Sequence, residues 1–224
     1  MTSRVPWPLE KGDKLRIYHQ LRHLKKTHTI FLCCLADEPV HPDAVKALEK
    51  LCDQHLILPL SKSGIIWRTL TALFSDRPFQ VHYFFSRKLR TKVYRAIEEF
   101  GPEHIYCQLI RCAEYVKHLH NVPKTLDYMD AFNKGIERRI AVSPWYLKRV
   151  WNVEARRLIA YENLIFEYFE KHIIISKQDQ QLIYHPNRSN ITVIPNGVDA
   201  NFFSPRVKEK KFDLVFIGNM SYPP

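Results

Sequence analysis

Two hydrophobic periods alternate along the chain. Between residues 13 and 26, Leu15, Tyr18, Leu21 and Leu24 recur at helical spacing and predict a helix, opened by Gly12-Asp13. Thr29-Ile-Phe-Leu-Cys-Cys-Leu35 then runs apolar without a break, the mark of a strand covered on both faces. Pro42 fits the first position of a helix reaching about Cys52, and His55-Leu-Ile-Leu-Pro59 reads as a second strand. Helices follow near 62–75 and 86–100, the latter stopped by Gly101-Pro102. His104-Ile-Tyr-Cys107 and Lys124-Thr-Leu-Asp-Tyr128 are strand candidates flanking a helix near 110–119. Ser143-Pro144 opens a long helix whose Leu147, Trp151, Leu158, Tyr161, Ile165 and Phe169 share one face. His172-Ile-Ile-Ile175 is a strand, Ser176 caps a helix to about Tyr184, and Ile191-Thr-Val-Ile194 is a strand halted by Pro195-Asn-Gly197. Lys208 to Lys211 reads as a charged linker before a last strand, 212–217. Apolar strands alternating with helices predict an α/β fold: a doubly wound, Rossmann-like parallel sheet.

The two ends depart from that plan. Pro6 and Pro8 exclude a central strand from residues 4–9, yet Glu10-Lys-Gly-Asp13 reads as the ligand-facing turn between a strand and a helix. The first strand of the sheet is therefore expected to be missing. Strand 212–217 has no helix after it, and together the ends point to a fragment.

Composition narrows the class. The 224 residues fit one large domain or two small ones, and 13 Phe, 11 Tyr and 4 Trp exclude a disordered chain. Five Cys in this length exclude a disulfide scaffold and read as reduced core residues. The longest apolar run, Ile30 to Ala36, is too short to span a bilayer, and the start lacks the apolar stretch of a secretory signal. These features point to a cytoplasmic protein. No Cys-x-x-Cys pair occurs, and His19 and His23 lack the Glu of a metalloprotease helix, so no metal site is expected. The glycine patterns of dinucleotide sites, P-loops and nucleophile elbows are absent.

Charge adds a partner class. The formal net charge is +11, concentrated in two segments: residues 62–95 hold eight basic side chains and one acid, and 134–157 hold seven and two. Trp67, Phe74, Phe79 and Phe85 are interleaved with the first set. The pattern fits either helices lying on anionic lipid headgroups or core helices with solvated basic faces. No nucleic-acid reading motif accompanies it.

Two groups of residues carry candidate chemistry. Gly12 permits close backbone approach, the helix N-terminus behind it favours anions, and Asp13, Lys14 and Arg16 surround it, so the turn is either a phosphate-binding loop or an ordinary solvated first turn. Asp127 and Asp130 lie at the carboxyl end of a predicted strand, where open α/β sheets bind ligands. A carboxylate there can take the proton of a hydroxyl, or merely cap the next helix.

Ile191-Thr-Val-Ile-Pro-Asn-Gly-Val-Asp199, followed by Phe202-Phe203, resembles a signature of family 4 glycosyltransferases of GT-B fold. His172-Ile-Ile-Ile-Ser-Lys-Gln-Asp179 is similar to the strand–Ser–helix segment of that family. Val5-Pro-Trp-Pro-Leu-Glu-Lys-Gly-Asp-Lys-Leu-Arg16 resembles the N-terminal loop of a bacterial branch, the exosortase-associated or exopolysaccharide sugar transferases. Segments 154–162 and 216–224 resemble that branch too.

The resemblance implies two Rossmann-like domains facing across a cleft, the first mostly for the acceptor and the second for a nucleotide-sugar. Residues 1–205 would then be the acceptor-side domain, ending in the interdomain segment 191–205, and 206–224 the start of the donor domain. The implied reaction is retaining transfer of a hexosyl-type sugar to a lipid-linked or saccharide acceptor, with no metal or other cofactor, in cell-surface polysaccharide synthesis. The implied location is cytoplasmic, peripheral at the inner face of the membrane. Gly12 and its neighbours match the loop near donor phosphate and acceptor, Gly218 and Asn219 match the first donor-domain loop, and Asp130 falls near a cleft His or Asp of relatives. The family's paired-Glu segment and diphosphate-gripping basic residues have no counterpart, so a fragment of this extent is expected to be inactive alone. The other class of function is a non-catalytic acceptor- or lipid-binding module acting with a partner.

Overall fold

The computed structural model describes residues 1–200, 202–204 and 212–214. It is a mixed α/β structure whose strands are all parallel, arranged in two small sheets, a pattern compatible with a Rossmann-like fold. In chain order, the first helix is α1 (Gly12–Leu24) and the first strand β1 (Phe31–Ala36). Then come α2 (Ala44–Glu49), β2 (Gln54–Pro59), α3 (Lys62–Thr71), α4 (Phe79–Phe84) and α5 (Arg87–Phe100). After β3 (Ile105–Gln108), a 3-10 segment Ile110–Tyr115 leads to β4 (Lys124–Asp127). Two helices, α6 (Phe132–Val142) and α7 (Trp145–Phe166), precede β5 (Lys171–Ile174), α8 (Lys177–Leu182) and β6 (Thr192–Val193).

One sheet pairs β1 with β2, and the other runs in the order β3-β4-β5-β6. Between them lies the start of the chain. Thr2 bridges to Cys34 of β1 in parallel, and the Met1 ammonium donates to the Tyr106 carbonyl of β3 at 2.7 Å. Met1 and Thr2 thus take a strand-like place between β1 and β3.

Burial explains why these runs became strands. All of β1 beyond Phe31, and all of β4, is buried. Apolar side chains on both faces of the strands pack under helices, with Leu35, Leu58, Cys107, Leu126 and Ile174 in one cluster. A second cluster joins Ile17 and Leu21 of α1 to Leu32 and Cys34 of β1 and Leu48 of α2. All five cysteines are free and buried. Burial pushes the thiols of Cys33 and Cys52 up to about 11, so they stay protonated and inert.

The helix ends follow local chemistry. Ser86 and Ser176 cap α5 and α8 by accepting from the amides of Leu89 and Asp179. Gly101 ends α5 at φ +62°, a left-handed turn that only glycine enters without penalty. Three elements differ from the sequence expectation. The helix expected over 110–119 is a 3-10 segment entered through Leu109 at φ +68°, with Ile110, Cys112, Ala113, Glu114 and Tyr115 all buried. A segment buried on every side lacks the one-faced pattern that separates an amphipathic helix from a tighter turn. Helices α4 and α6 were not foreseen. Phe132, Ile136 and Ile140 provide the inward stripe of α6. The strand expected over 212–217 and the linker 208–211 lie outside the described residues, apart from 212–214.

Candidate functional site

A cleft of about 920 Å³ opens at the carboxyl ends of the strands. Four strands each send one polar residue to it from the segment that follows: Asp37 after β1, Arg111 of the 3-10 segment after β3, Asp130 after β4 and Asp179 of α8 after β5. Arg4 arrives from the stretch after Thr2. Phe79, Tyr83 and Phe84 of α4, Phe132 of α6 and Trp151 of α7 supply an aromatic wall.

Asp130 is held by strained, well-bonded backbone. Met129 has φ +62°, its amide donates to the Asp127 carboxylate at 2.9 Å, and its carbonyl accepts from Ile175 at 3.0 Å. The side chain of Asp130 opens to the cleft but has protein on its other sides. Burial, reinforced by the nearby charge of Asp179, pushes its carboxyl up; Arg111 works in the opposite direction. Such a carboxylate is a stronger base than one in water.

Arg111 is fixed from two sides. Its Nε and one terminal nitrogen both donate to Gln80 Oε1, at 3.1 and 2.8 Å. Its guanidinium lies over the rings of Phe84 and Phe132, 5.4 and 4.7 Å from the centroids. Burial lowers its pKa, but an arginine remains charged. Glu154 accepts from the amides of Phe79 and Gln80 at 2.7 and 3.2 Å, so α7 caps the N-terminus of α4 and sets the aromatic wall. Asp179 accepts from the Ser176 hydroxyl and, through its other oxygen, from the Ala131 amide at 3.4 Å, which ties α8 to the loop carrying Asp130.

The other sequence candidates sit elsewhere. Asp127 is fully buried behind the cleft, where it accepts from Arg16 Nε at 3.0 Å and from the Tyr106 hydroxyl. Arg16 is also buried, and its two terminal nitrogens donate to Asn196 Oδ1 at 2.8 Å and the Ile194 carbonyl at 3.2 Å. It therefore fastens the start of α1 to segment 194–196, with all three nitrogens bonded inside the protein. Lys14 is buried too, with its ammonium on Glu10 Oε1 at 3.0 Å. Gly12 is exposed at the start of α1, and a Cβ there would meet nothing within 4 Å. Asp13 binds Arg4 at 2.6 Å and so reaches the cleft only through that arginine. Gly218 and Asn219 lie outside the described residues. Arg4, Gln80, Arg111, Trp151 and Glu154 were not anticipated; the position of Arg111 just past a strand end was the one signal that pointed to it.

On α3, the turn after it and the start of α7, apolar side chains face solvent. Trp67 and Leu70 of α3 and the following Phe74 are 69%, 52% and 94% exposed, and Trp145 of α7 is 81% exposed. Arg157 of α7 donates to the Ala72 carbonyl at 2.8 Å and holds the turn bearing Phe74 against that helix. Among the described residues no helix is long and apolar enough to cross a membrane, and no cluster of three or more His, Cys, Asp or Glu is placed to hold a metal ion. Compared with known protein families, with curated proteins and with solved structures, the chain gives no significant match.

Proposed function

We propose that this chain is the acceptor-side, doubly wound half of a GT-B glycosyltransferase, binding a lipid-linked or free saccharide in the cleft at the strand ends. The observation that carries the reading is the cleft's composition: the Asp130 carboxylate and Arg111 guanidinium stand against an aromatic wall. Sugars present apolar C–H faces that pack on aromatic rings and hydroxyls that need charged or polar partners, and this cleft offers both. Asp130 is the group that accepts a proton from, or orients, the acceptor hydroxyl. Arg111 holds a hydroxyl or an anionic substituent beside it. Arg16 anchors Ile194 and Asn196 within the segment that resembles the family signature, which supports a role for 191–205 as the connection to a donor domain.

The exposed aromatic side chains Trp67, Phe74 and Trp145, in segments rich in basic residues, support contact with anionic membrane, where a lipid-linked acceptor resides. No metal or organic cofactor is assigned; the donor in this reading is a nucleotide-sugar, which acts as substrate, and nucleic acid is not a partner.

The test is saccharide binding followed by tryptophan fluorescence, since Trp151 lines the cleft. Oligosaccharides and short-chain prenyl diphosphate saccharides are titrated into the wild type, Arg111→Ala and Asp130→Asn. Saturable binding that weakens at least about tenfold in Arg111→Ala supports the reading. Absence of binding by every saccharide tried, or equal binding by the wild type and Arg111→Ala, overturns it.

A further inference from the structure

The cleft holds a positive charge that the surrounding side chains orient but do not neutralise. Among the described residues, Arg111 meets no carboxylate at hydrogen-bond distance; both of its bonds end on the neutral Oε1 of Gln80. That amide fixes the plane of the guanidinium without cancelling its charge. Phe84 and Phe132 lie against the guanidinium, so a ligand reaches it by its edge. Nε and Nη2 are the atoms bound to Gln80, which leaves the fork of Nη1 and Nη2 at the far end. Nη1 has no acceptor in the described protein and is open to the cleft that Arg111 lines. Such a fork matches a carboxylate or a phosphate.

Arg4 approaches the same place. Its guanidinium is 6.0 Å from the centroid of Phe84, the ring that Arg111 covers at 5.4 Å. Burial first, and then the charge of Arg4, lower the Arg111 pKa, so the two cations are neighbours. Arg4 gives one terminal nitrogen to Asp13, and its Nε stands 3.9 Å from Asp37. Its second terminal nitrogen has no acceptor among the described residues. Two cations beside one ring repel each other, and an anion between them reverses that cost. The acids of the cleft are engaged elsewhere. Glu154 accepts from the amides of Phe79 and Gln80, and Asp179 from Ser176 and Ala131. Asp130 bonds to neither arginine, and burial, with the Asp179 charge, raises its carboxyl, which weakens its repulsion of an incoming anion.

We propose that Arg111 and Arg4 form an anion subsite, so that the saccharide taken into this cleft bears an acidic group, a uronate carboxylate or a phosphate ester. Arg111 binds the group through its free fork, Gln80 holds Arg111 in position, and Arg4 closes the other side. The sugar ring in this inference rests on the saccharide reading of the cleft; the subsite itself rests on the two arginines.

The test uses the full chain and matched ligands: cellobiose against cellobiouronic acid, methyl glucoside against glucosyl phosphate, and inorganic phosphate alone. Titrations are followed through the arginine Nε–H signals by NMR in the wild type, Gln80→Glu and Arg4→Gln. In the wild type at least one acidic ligand binds about tenfold or more tightly than its neutral counterpart. The pair with the larger ratio identifies the group as carboxylate or phosphate. Gln80→Glu gives Arg111 a counter-ion in place and Arg4→Gln removes the second cation, so both bring the ratio close to one. Reading a ratio separates loss of the subsite from a general loss of affinity. Equal binding of acidic and neutral ligands by the wild type overturns the subsite and leaves the saccharide reading standing. So does a ratio that neither substitution changes. Phosphate binding that is lost in Gln80→Glu, with no saccharide bound, supports the subsite and overturns the saccharide reading. Binding of none of the five ligands overturns both.

Discussion

Glu162 is the most exacting point at which the packing can be tested. It lies on α7 with no exposed surface, and neither carboxylate oxygen has a hydrogen-bond partner. The phenol oxygen of Tyr128, likewise buried, is also unpartnered. Burial, with a smaller contribution from the Asp130 charge, pushes the Glu162 carboxyl from 4.5 up to about 8. At neutral pH the folded protein therefore holds a proton that the unfolded chain gives up. Below pH 4.5 both states are protonated and Glu162 costs nothing extra. Between the two values unfolding releases a proton, so stability falls as pH rises, by up to about 1.36 kcal/mol per pH unit. The accumulated cost is about 3 kcal/mol at pH 7 and levels off near 5 kcal/mol above pH 8. Glu162→Gln keeps the shape and stays neutral at every pH. Its advantage over the wild type should be under about 1 kcal/mol at pH 5 and grow to about 4 kcal/mol at pH 8. Urea unfolding of both proteins at pH 5, 6, 7 and 8 measures that difference, and the subtraction removes the groups that titrate independently of Glu162, Glu154 among them. A difference that stays constant across the four pH values would refute the assignment of a buried, protonated Glu162.

Two further outcomes follow from the contacts. Arg16→Met leaves the fully buried Asp127 without its ion partner and should cost about 3–5 kcal/mol in urea unfolding, with much of the loss recovered in Arg16→Met/Asp127→Asn; a cost below about 1 kcal/mol would show that the pair is not the clamp described. Vesicle co-sedimentation should favour anionic over neutral lipid, and Trp67→Ser/Phe74→Ser should abolish the preference without lowering stability, because both side chains are exposed; equal sedimentation with the two lipids would remove the membrane from the proposed function.

The strands were legible because burial on both faces leaves an unbroken apolar run. Phe31–Ala36 and the triple isoleucine of His172–Ile175, which overlaps β5, stood out on that ground, and Gly101 and Ser176 marked helix ends by chemistry confined to a few residues. Helix α6 was hidden because its apolar stripe of Phe132, Ile136 and Ile140 is narrow and lies just before the longer pattern of α7. The site divides in the same way. Asp130 was visible as a carboxylate past a strand end. The Arg16–Asp127 pair, 111 residues apart, was not, and without it Arg16 looked like a free cation beside a helix N-terminus. The aromatic wall depends on Glu154 capping α4 from 75 residues away, a contact that no local period encodes.

The cleft spans both sheets. Asp37 follows a strand of the two-stranded sheet, whereas Arg111, Asp130 and Asp179 follow strands of the four-stranded one. The distance across the cleft is therefore set by what joins β1 to β3 and β4: the Met1–Thr2 rung, the core cluster that holds Leu35 and Leu58 with Cys107 and Leu126, and the Arg16–Asp127 pair. Arg4 adds to them, because it binds Asp13 at the start of α1 and rests over Phe84 in the aromatic wall, 6.0 Å from its centroid. The saccharide contacts proposed for Arg111 and Asp130 need that rigidity, because hydrogen bonds to a sugar weaken steeply with small displacements.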